Sequence, residues 1–266
     1  MAADENGRTR LESLARGLQV LSIVVSNGVQ RVDAVASAAG LPLSTTYRYI
    51  GTLVEAGFLI DLGGSYAPGP RVLEISRAGN RFRQLIEVAQ PTLRQMVKQT
   101  GETALLTVRS GTSALCLDRV ESPQPVRLSF EPGALMPLYA GASGKVLLAY
   151  APVPLIEEVL AGMTPLTENT PSPAKLRQDL EQIREQGYTI TDGELDVQVI
   201  GAAAAIFVGR EMVGAITVAG PSFRLTEAEL EQIVACVRDS AETIGHALAG
   251  AAATAGGGSD RDSMPA

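Results

Sequence analysis

Apolar residues Leu11, Leu14, Leu18, Leu21 and Val25 recur in steps of three and four, the spacing that lays one stripe along a helix and commits it to a core. Gly28 closes that segment. A second short helix fits Val32–Ala39, stopped by Gly40, and a third fits residues 44–56. In FLIDLGGSYAPG two short runs flank Gly63 and Gly64, a pair that accepts the positive φ angles of a tight hairpin turn. Three short helices followed by a hairpin make the layout of a winged helix-turn-helix.

After Pro70 the chain carries Arg71, Arg77, Arg81 and Arg83 among apolar residues at helical spacing, which predicts one or two linking helices running towards Gly101. The pattern then changes. ETALLTVRS, ALCLDRVE and PVRLSFE are short apolar or alternating runs broken by Gly, Ser and Pro, and read as antiparallel strands. Helices fit 143–150, 155–161 and 173–186, strands fit 188–192, 200–208 and 212–219, and a last amphipathic helix fits 226–249. The expected architecture is α+β: a winged helix-turn-helix domain over residues 1–69, a linker helix over 70–84 and an α+β domain over 85–250. The tail 251–266, AAATAGGGSDRDSMPA, holds no core-forming residues and is expected to be disordered.

Composition narrows the function. No run approaches the roughly 20 apolar residues of a membrane span, and the polar start MAADENGRTR is unlike a signal peptide, so a cytoplasmic protein with no membrane partner is expected. Cys116 and Cys236 lie far apart in apolar surroundings, as buried thiols do in a reducing compartment. The net charge is −7, but residues 1–82 hold eight Arg and no Lys against seven acids, while the rest carries 14 cations against 22 acids. Phosphate affinity follows a local basic face, so nucleic-acid binding stays open for the first part and is not expected for the second.

Within GLPLSTTYRYIGTLVEAGFL, Thr46, Tyr49, Ile50 and Leu53 fall on one helix face, the core face. Ser44, Thr45, Arg48 and Thr52 take the opposite one, with Tyr47 at its edge. Ser44 is the expected N-cap, and the free amides of the first turn suit a phosphate. Thr45 and Arg48 lie one turn apart, within reach of base edges for a helix entering a major groove, where Arg pairs with guanine and a threonine methyl touches thymine. The other reading of Arg48 is a solvated surface arginine.

The GLP-x-STxYR core, the AGFL after it and YxPGPR-L resemble the DNA-binding domain of the IclR family of bacterial transcriptional regulators. ETALLTVRSG, LDRVESPQPVRLSFEPGALMPLYAGASGKVLLAY, GYTITDGEL and AITVAGPSFRLT are similar, in order, to that family's effector-binding domain. The resemblance implies a dimer or dimer of dimers that binds double-stranded, partly palindromic operator DNA and answers a small organic acid in a GAF-like domain, without a cofactor or metal. It places Ser44, Thr45 and Arg48 on the base-contacting face and Arg71 in the wing-end motif. Arg16 and Arg31 are phosphate candidates on charge alone. The wing tip, Gly63-Gly64-Ser65, departs in offering no cation.

In YAGASGKVLLAY the Gly144-Lys145 pair invites a phosphate-loop reading, which fails: Tyr139 and Val146 stand where that motif needs Gly and Ser or Thr. What remains is a small-residue turn opening a helix, suited to a carboxylate. By resemblance this loop (Gly141, Ala142, Ser143) holds the effector, Leu128 and Met136 stand at positions of the apolar wall, and Thr191 (with Asp192 beside it), Gly201, Thr217 and Ala219 stand where family members that resemble the glyoxylate-responsive regulator carry an acid, a cysteine and two serines. This thinner polar set implies more volume and a larger, more apolar effector, an aromatic or branched acid, unless the small residues serve close packing alone.

An enzyme would need a positioned His, Cys or carboxylate pair. The single histidine, His246, falls on the last helix. Asp192, Glu194 and Asp196 alternate as on one side of a strand, read here as a solvated strand end and not a metal site. The function expected is a ligand-responsive transcriptional regulator, a repressor, with two alternatives: an activator of the same family, and a GAF-type sensor acting through protein partners.

Overall fold

The computed structural model describes residues 2–78, 80–128 and 130–256; residues 257–266 of the expected disordered tail lie outside them, as do the side chains of Leu11, Arg77 and Arg81. The chain divides into two compact units, Met1–Asn80 and Arg81–Ala266.

The first unit runs α1 (Ala2–Asn27), β1 (Gln30–Arg31), α2 (Val32–Ala39), α3 (Leu43–Glu55), β2 (Leu59–Asp61), β3 (Ser65–Pro68) and α4 (Pro70–Ala78). Its antiparallel sheet has the order β1-β3-β2. The hairpin expected around Gly63 and Gly64 is β2–β3; both glycines have positive φ, and their amides close the turn on Asp61 Oδ1 at 2.9 and 3.0 Å. The two-residue strand β1 had no periodicity to announce it. Val20, Val24, Val35, Ile50 and Leu59 form the centre of the core.

The stripe on α1 departs from expectation. Its buried residues are Val20 and Val24, whereas Leu14 and Leu18 are 62% and 53% exposed and Val25 is also exposed. In LQVLSIVV nearly every side of the helix is apolar, so one face can enter the core while another stays outside it.

The second unit is a six-stranded antiparallel sheet of order β6-β5-β4-β9-β8-β7, built from β4 (Thr103–Ser110), β5 (Ser113–Val120), β6 (Leu135–Pro137), β7 (Tyr188–Asp192), β8 (Val199–Val208) and β9 (Glu211–Pro221). α5 (Asn80–Thr100) and α9 (Glu227–Gly256) pack on one face through Leu93, Met96, Val237 and Ile244. α6 (Ala142–Ala149), α7 (Val153–Ala161) and α8 (Pro173–Gln186) pack on the other through Leu147, Leu148, Leu176 and Leu180. Alternation along the strands feeds both cores: Ala202, Ala204, Ile216 and Val218 face the α5/α9 side, Ala203, Ala205 and Ala215 the α6/α8 side. The alanines of β8 let helices close in, and a Cβ at Gly245 of α9 would overlap Phe207 O.

Three expectations are corrected here. PVRLSFE (125–131) is no strand in its described residues; Pro123, Pro125 and Pro132 withhold donors from a ladder, and pairing resumes only at β6. Of the one or two helices expected after Pro70 there are two, but the second passes the linker boundary drawn at 84 and continues to Thr100 inside the core of the second unit. Residues 251–256 are helical and not disordered, the alanines of AAATA extending α9.

Candidate functional site

On α3, Thr46 and Ile50 are buried, Tyr49 and Leu53 are partly buried, and Ser44, Tyr47, Arg48 and Thr52 are exposed. Thr45 is partly buried at the edge of the outward face. Ser44 is not the N-cap: the helix begins one residue earlier, with Pro42 in the cap position and no side-chain cap. Pro42 presets the extended backbone that leads into the helix, and Thr46 turns both its amide and its hydroxyl onto Pro42 O, at 3.0 and 3.1 Å. The amides of Leu43, Ser44 and Thr45 thus head the helix without intrahelical partners.

Among the described residues Arg48 has no ion-pair partner, and its guanidinium lies 5.7 Å from the Tyr49 ring centroid, close enough for cation–π attraction. Thr52 spends its hydroxyl on Arg48 O at 3.1 Å, leaving its methyl and an acceptor lone pair outward. Arg71, at the second position of α4, and Arg16 are exposed. Arg31 is exposed but shared with Asp33 at 3.3 Å, which weakens it as a phosphate contact. The wing tip carries Asp61 and no cation.

Besides the packing of Leu59 and Tyr66 in the core with Ile50, backbone bonds close the wing on α3. Gly57 and Phe58 turn back onto α3, Gly69 N donates to Phe58 O at 2.7 Å and Arg71 N to Gly57 O at 3.2 Å. A Cβ at Gly69 would overlap Gly57 O, which explains the glycine of the PGPR motif. Beside this region, Leu14, Leu18, Leu21, Tyr49, Leu53 and Phe58 line an apolar groove of about 570 Å³ between α1 and α3, with Arg48 and Thr52 on its rim.

In the second unit a small, partly open cavity lies over the sheet at the start of α6. Thr191, Gly201 and Ala219 stand in one cross-strand row of its floor, and Thr217 with its partner Leu105 stands two positions on, on the same face. Gly141, Ala142 and Ser143 close one side and Met136 another. Thr217 Oγ1 is buried without a hydrogen-bond partner among the described residues, a costly state for a hydroxyl unless something polar meets it. All eight residues of α6 are buried, so its first amides open into this space. A Cβ at Gly144 would sit 2.5 Å from Pro137 O, so that glycine serves close helix–strand packing.

Two predicted lining residues are elsewhere. Leu128 is held outside by its carbonyl, which accepts from Thr103 Oγ1 at 3.2 Å. Asp192 is exposed at the end of β7, its carbonyl receiving Asn169 Nδ2 at 3.4 Å. Phe130, Leu195 and Val199 line the cavity instead, all from segments whose path only tertiary closure fixes. The cavity is also smaller than the thinned polar set implied, about 30 Å³, because Phe130, Met136 and Leu195 close on the space that the small floor residues leave.

Behind the loop lies an ion cluster. Lys145 Nζ is 2.6 Å from Asp179 Oδ2 and 2.8 Å from Glu194 Oε1, while the other oxygen of Glu194 accepts from Gly141 N at 3.3 Å. Lys175 adds a bond to Asp179 at 2.7 Å. Burial is the strongest influence on both acids. It lifts the Glu194 carboxyl above its ordinary range against the pull of Lys145, whereas on Asp179 the bonds from Lys145 and Lys175 overcome it and hold the group low. Glu194 is therefore not part of a solvated strand: β7 ends at Asp192, and the turn after it breaks the alternation. Burial pushes the Cys116 thiol up to about 11, an unreactive packing residue. Among the described residues no group of three His, Cys, Asp or Glu could hold a metal, and no helix is long and apolar enough to cross a membrane.

A winged helix-turn-helix with an unpaired arginine on its outward helix, beside an α+β unit with an amide-lined cavity, is the build of a DNA-binding transcriptional regulator. Residues 13–60 match the IclR helix-turn-helix domain and residues 81–246 the family described as bacterial transcriptional regulator IclR C-terminal. The chain belongs to the IclR family of bacterial transcriptional regulators. It is 32% identical to the transcriptional repressor IclR of Escherichia coli K12, over 91% of each chain. With the repressor AllR of the same organism it shares 34% identity, over 89% of this chain and 90% of that one. An IclR homologue of Microbacterium hydrocarbonoxydans, solved in complex with 4-hydroxybenzoate, superposes with a TM-score of 0.74 at 26% identity, over 89% of this chain and 98% of that one.

Proposed function

We propose that this regulator is a repressor that works in the cytoplasm, reads an operator through α3 and changes its operator affinity when a small organic acid binds at the start of α6. The observation that carries the DNA half is Arg48, exposed and unpaired one turn beyond three free helix amides. Thr45, Arg48 and Thr52 are assigned to base edges, with Ser44 and Tyr47 flanking them; Arg71 and Arg16 are assigned to phosphates, and Arg31 more weakly. The relatives named as repressors support the sign of regulation.

The ligand half rests on the α6 amides and the orphaned Thr217 hydroxyl, which together suit a carboxylate with one further polar atom. Phe130, Met136 and Leu195 favour an apolar body, and they must move aside for anything larger than a few atoms. The exposed apolar stripe of α1 and its groove support self-association, as a dimer or dimer of dimers, since apolar patches of this kind mark interaction surfaces. If the acid binds one arrangement of the assembly better, operator affinity changes by the same coupling factor.

An electrophoretic shift with DNA upstream of the regulator's own gene tests the first half. Specific retardation that Arg48→Ala abolishes in a folded protein is expected; unchanged affinity refutes the assignment. Calorimetry against glyoxylate, pyruvate, benzoate and 4-hydroxybenzoate tests the second, and tight binding of the two smallest acids alone would refute the apolar body.

A further inference from the structure

Helix α6 begins without a side-chain cap of its own. Gly141 sits at φ 78°, where only glycine is comfortable, and offers no side chain to the amides that follow. The missing cap is supplied from 53 residues away, by Glu194 Oε2 on Gly141 N. Glu194 is in turn held on every side. Its second oxygen is on Lys145, and its backbone carbonyl accepts from Thr167 Oγ1 at 3.2 Å and Thr170 Oγ1 at 3.0 Å. Lys145, one turn into the same helix, is anchored on α8 through Asp179. A closed circuit thus runs from the amide loop through Glu194 and Lys145 back into α6.

This arrangement does more than hold a turn. An acid bound on the Ala142 and Ser143 amides shares one helix N-terminus with the Glu194 carboxylate, so two anions compete for the same partial positive charge. We propose, building on the effector reading of this cavity, that Glu194 is a positioning residue of the ligand site: it fixes the geometry of the Gly141–Ser143 amides from outside the cavity, and its charge makes acid binding depend on pH. The groups facing Glu194 are Lys145 on α6, Lys175 and Asp179 on α8, and Tyr188 on β7. The bond to Asp179 holds Lys175 in its charged form, and the bonds from Lys145 and Lys175 keep the Asp179 carboxylate ionised, so Glu194 is the group that titrates. Burial has already moved it towards the neutral form, and an arriving carboxylate pushes it further the same way. Binding therefore takes up a proton and strengthens as pH falls, as long as the acid itself remains ionised.

Two measurements on the full-length protein test this independently. Hydrogen exchange read on a peptide spanning residues 139–147 needs no ligand: loss of a charged hydrogen bond in Glu194→Ala is expected to speed exchange about tenfold, and Glu194→Gln, which keeps an acceptor for Gly141, by less. Calorimetry with benzoate, 4-hydroxybenzoate, pyruvate and glyoxylate between about pH 6 and 8 then follows whichever acid the wild type binds. Glu194→Gln, which keeps the acceptor but removes the competing charge, is expected to bind more tightly than the wild type at about pH 8 and to flatten the rise in affinity towards low pH; Glu194→Ala, which removes both, is expected to bind about tenfold more weakly than Glu194→Gln. Wild-type loop exchange in a folded variant overturns the proposal, as does faster exchange with unaltered affinity and pH slope, which leaves Glu194 merely structural. If the wild type binds none of the acids, the effector reading itself fails, whatever the loop does.

Discussion

Helices α3 and α6 open alike in sequence, LSTTYR against ASGK, with small or hydroxylated residues and a cation within the first turn or two, yet they are put to opposite use. α3 keeps Ser44, Arg48 and Thr52 in solvent, whereas α6 is buried throughout. Among the described residues Arg48 has no carboxylate partner, whereas Lys145 has two. The lesson is that a cation near a helix start carries no meaning until its neutralisation is known. Left unpaired at the surface, it is free for a polyanion. Compensated in the interior, it becomes part of the frame that holds the amides in place.

The contrast can be broken at several points. The largest effect is expected from Lys145→Met, which takes the shared cation from Glu194 and Asp179, leaving Asp179 its bond to Lys175 and Glu194 its bond from Gly141, and should cost on the order of 3 kcal/mol of unfolding free energy in urea titration; a neutral outcome would reduce Lys145 to a surface-like cation. Gly144→Ala forces a Cβ against Pro137 O and should lose about 1–3 kcal/mol. Arg48→Ala should leave stability within about 0.5 kcal/mol but remove about 1–3 kcal/mol of operator discrimination in gel shifts. Gly51→Ala, in α3, meets nothing within 4 Å and should stabilise the first unit by about 0.5–1 kcal/mol in thermal melts, the reverse of the same change in α6. The smallest effect is in acid. Asp179 is held low in the folded state, so its contribution is present above the ordinary aspartate range and is lost as pH falls through the folded value. Asp179→Asn should flatten that part of the acid limb of a pH–stability curve.

Much of this was legible in the chain before its structure. The periodicities marked α2, α8 and β7 at the residues where they stand, and the core face of α3 was readable because Thr46, Ile50 and Leu53 repeat at helical steps. What escaped has physical reasons. On α1, residues on several sides are apolar, so no stripe could be told from the other; of the stripe chosen, Leu14, Leu18 and Val25 are exposed and Leu21 packs partly on the core. β1 is too short to show a period. Phe130 and Leu195 reach the cavity from irregular segments, while Leu128, two residues from Phe130, is turned away by its carbonyl bond to Thr103. Glu194 was misread because period-two reasoning was carried past the end of a strand. The loop Gly141–Ser143 was found, but its distant cap could not be, since no local pattern links residues 141 and 194.

The glycine crossing at the wing has a mechanical consequence. From the last turn of α3 the chain of backbone bonds passes through Phe58 to Gly69 and through Gly57 to Arg71, the second residue of α4. Along that path there is no flexible side chain to absorb a displacement, and the overlap that any side chain at Gly69 would cause leaves no slack in the backbone either. The start of α4 is thus tied to the end of α3 through main-chain hydrogen bonds, so that a shift of one helix is passed to the other by backbone.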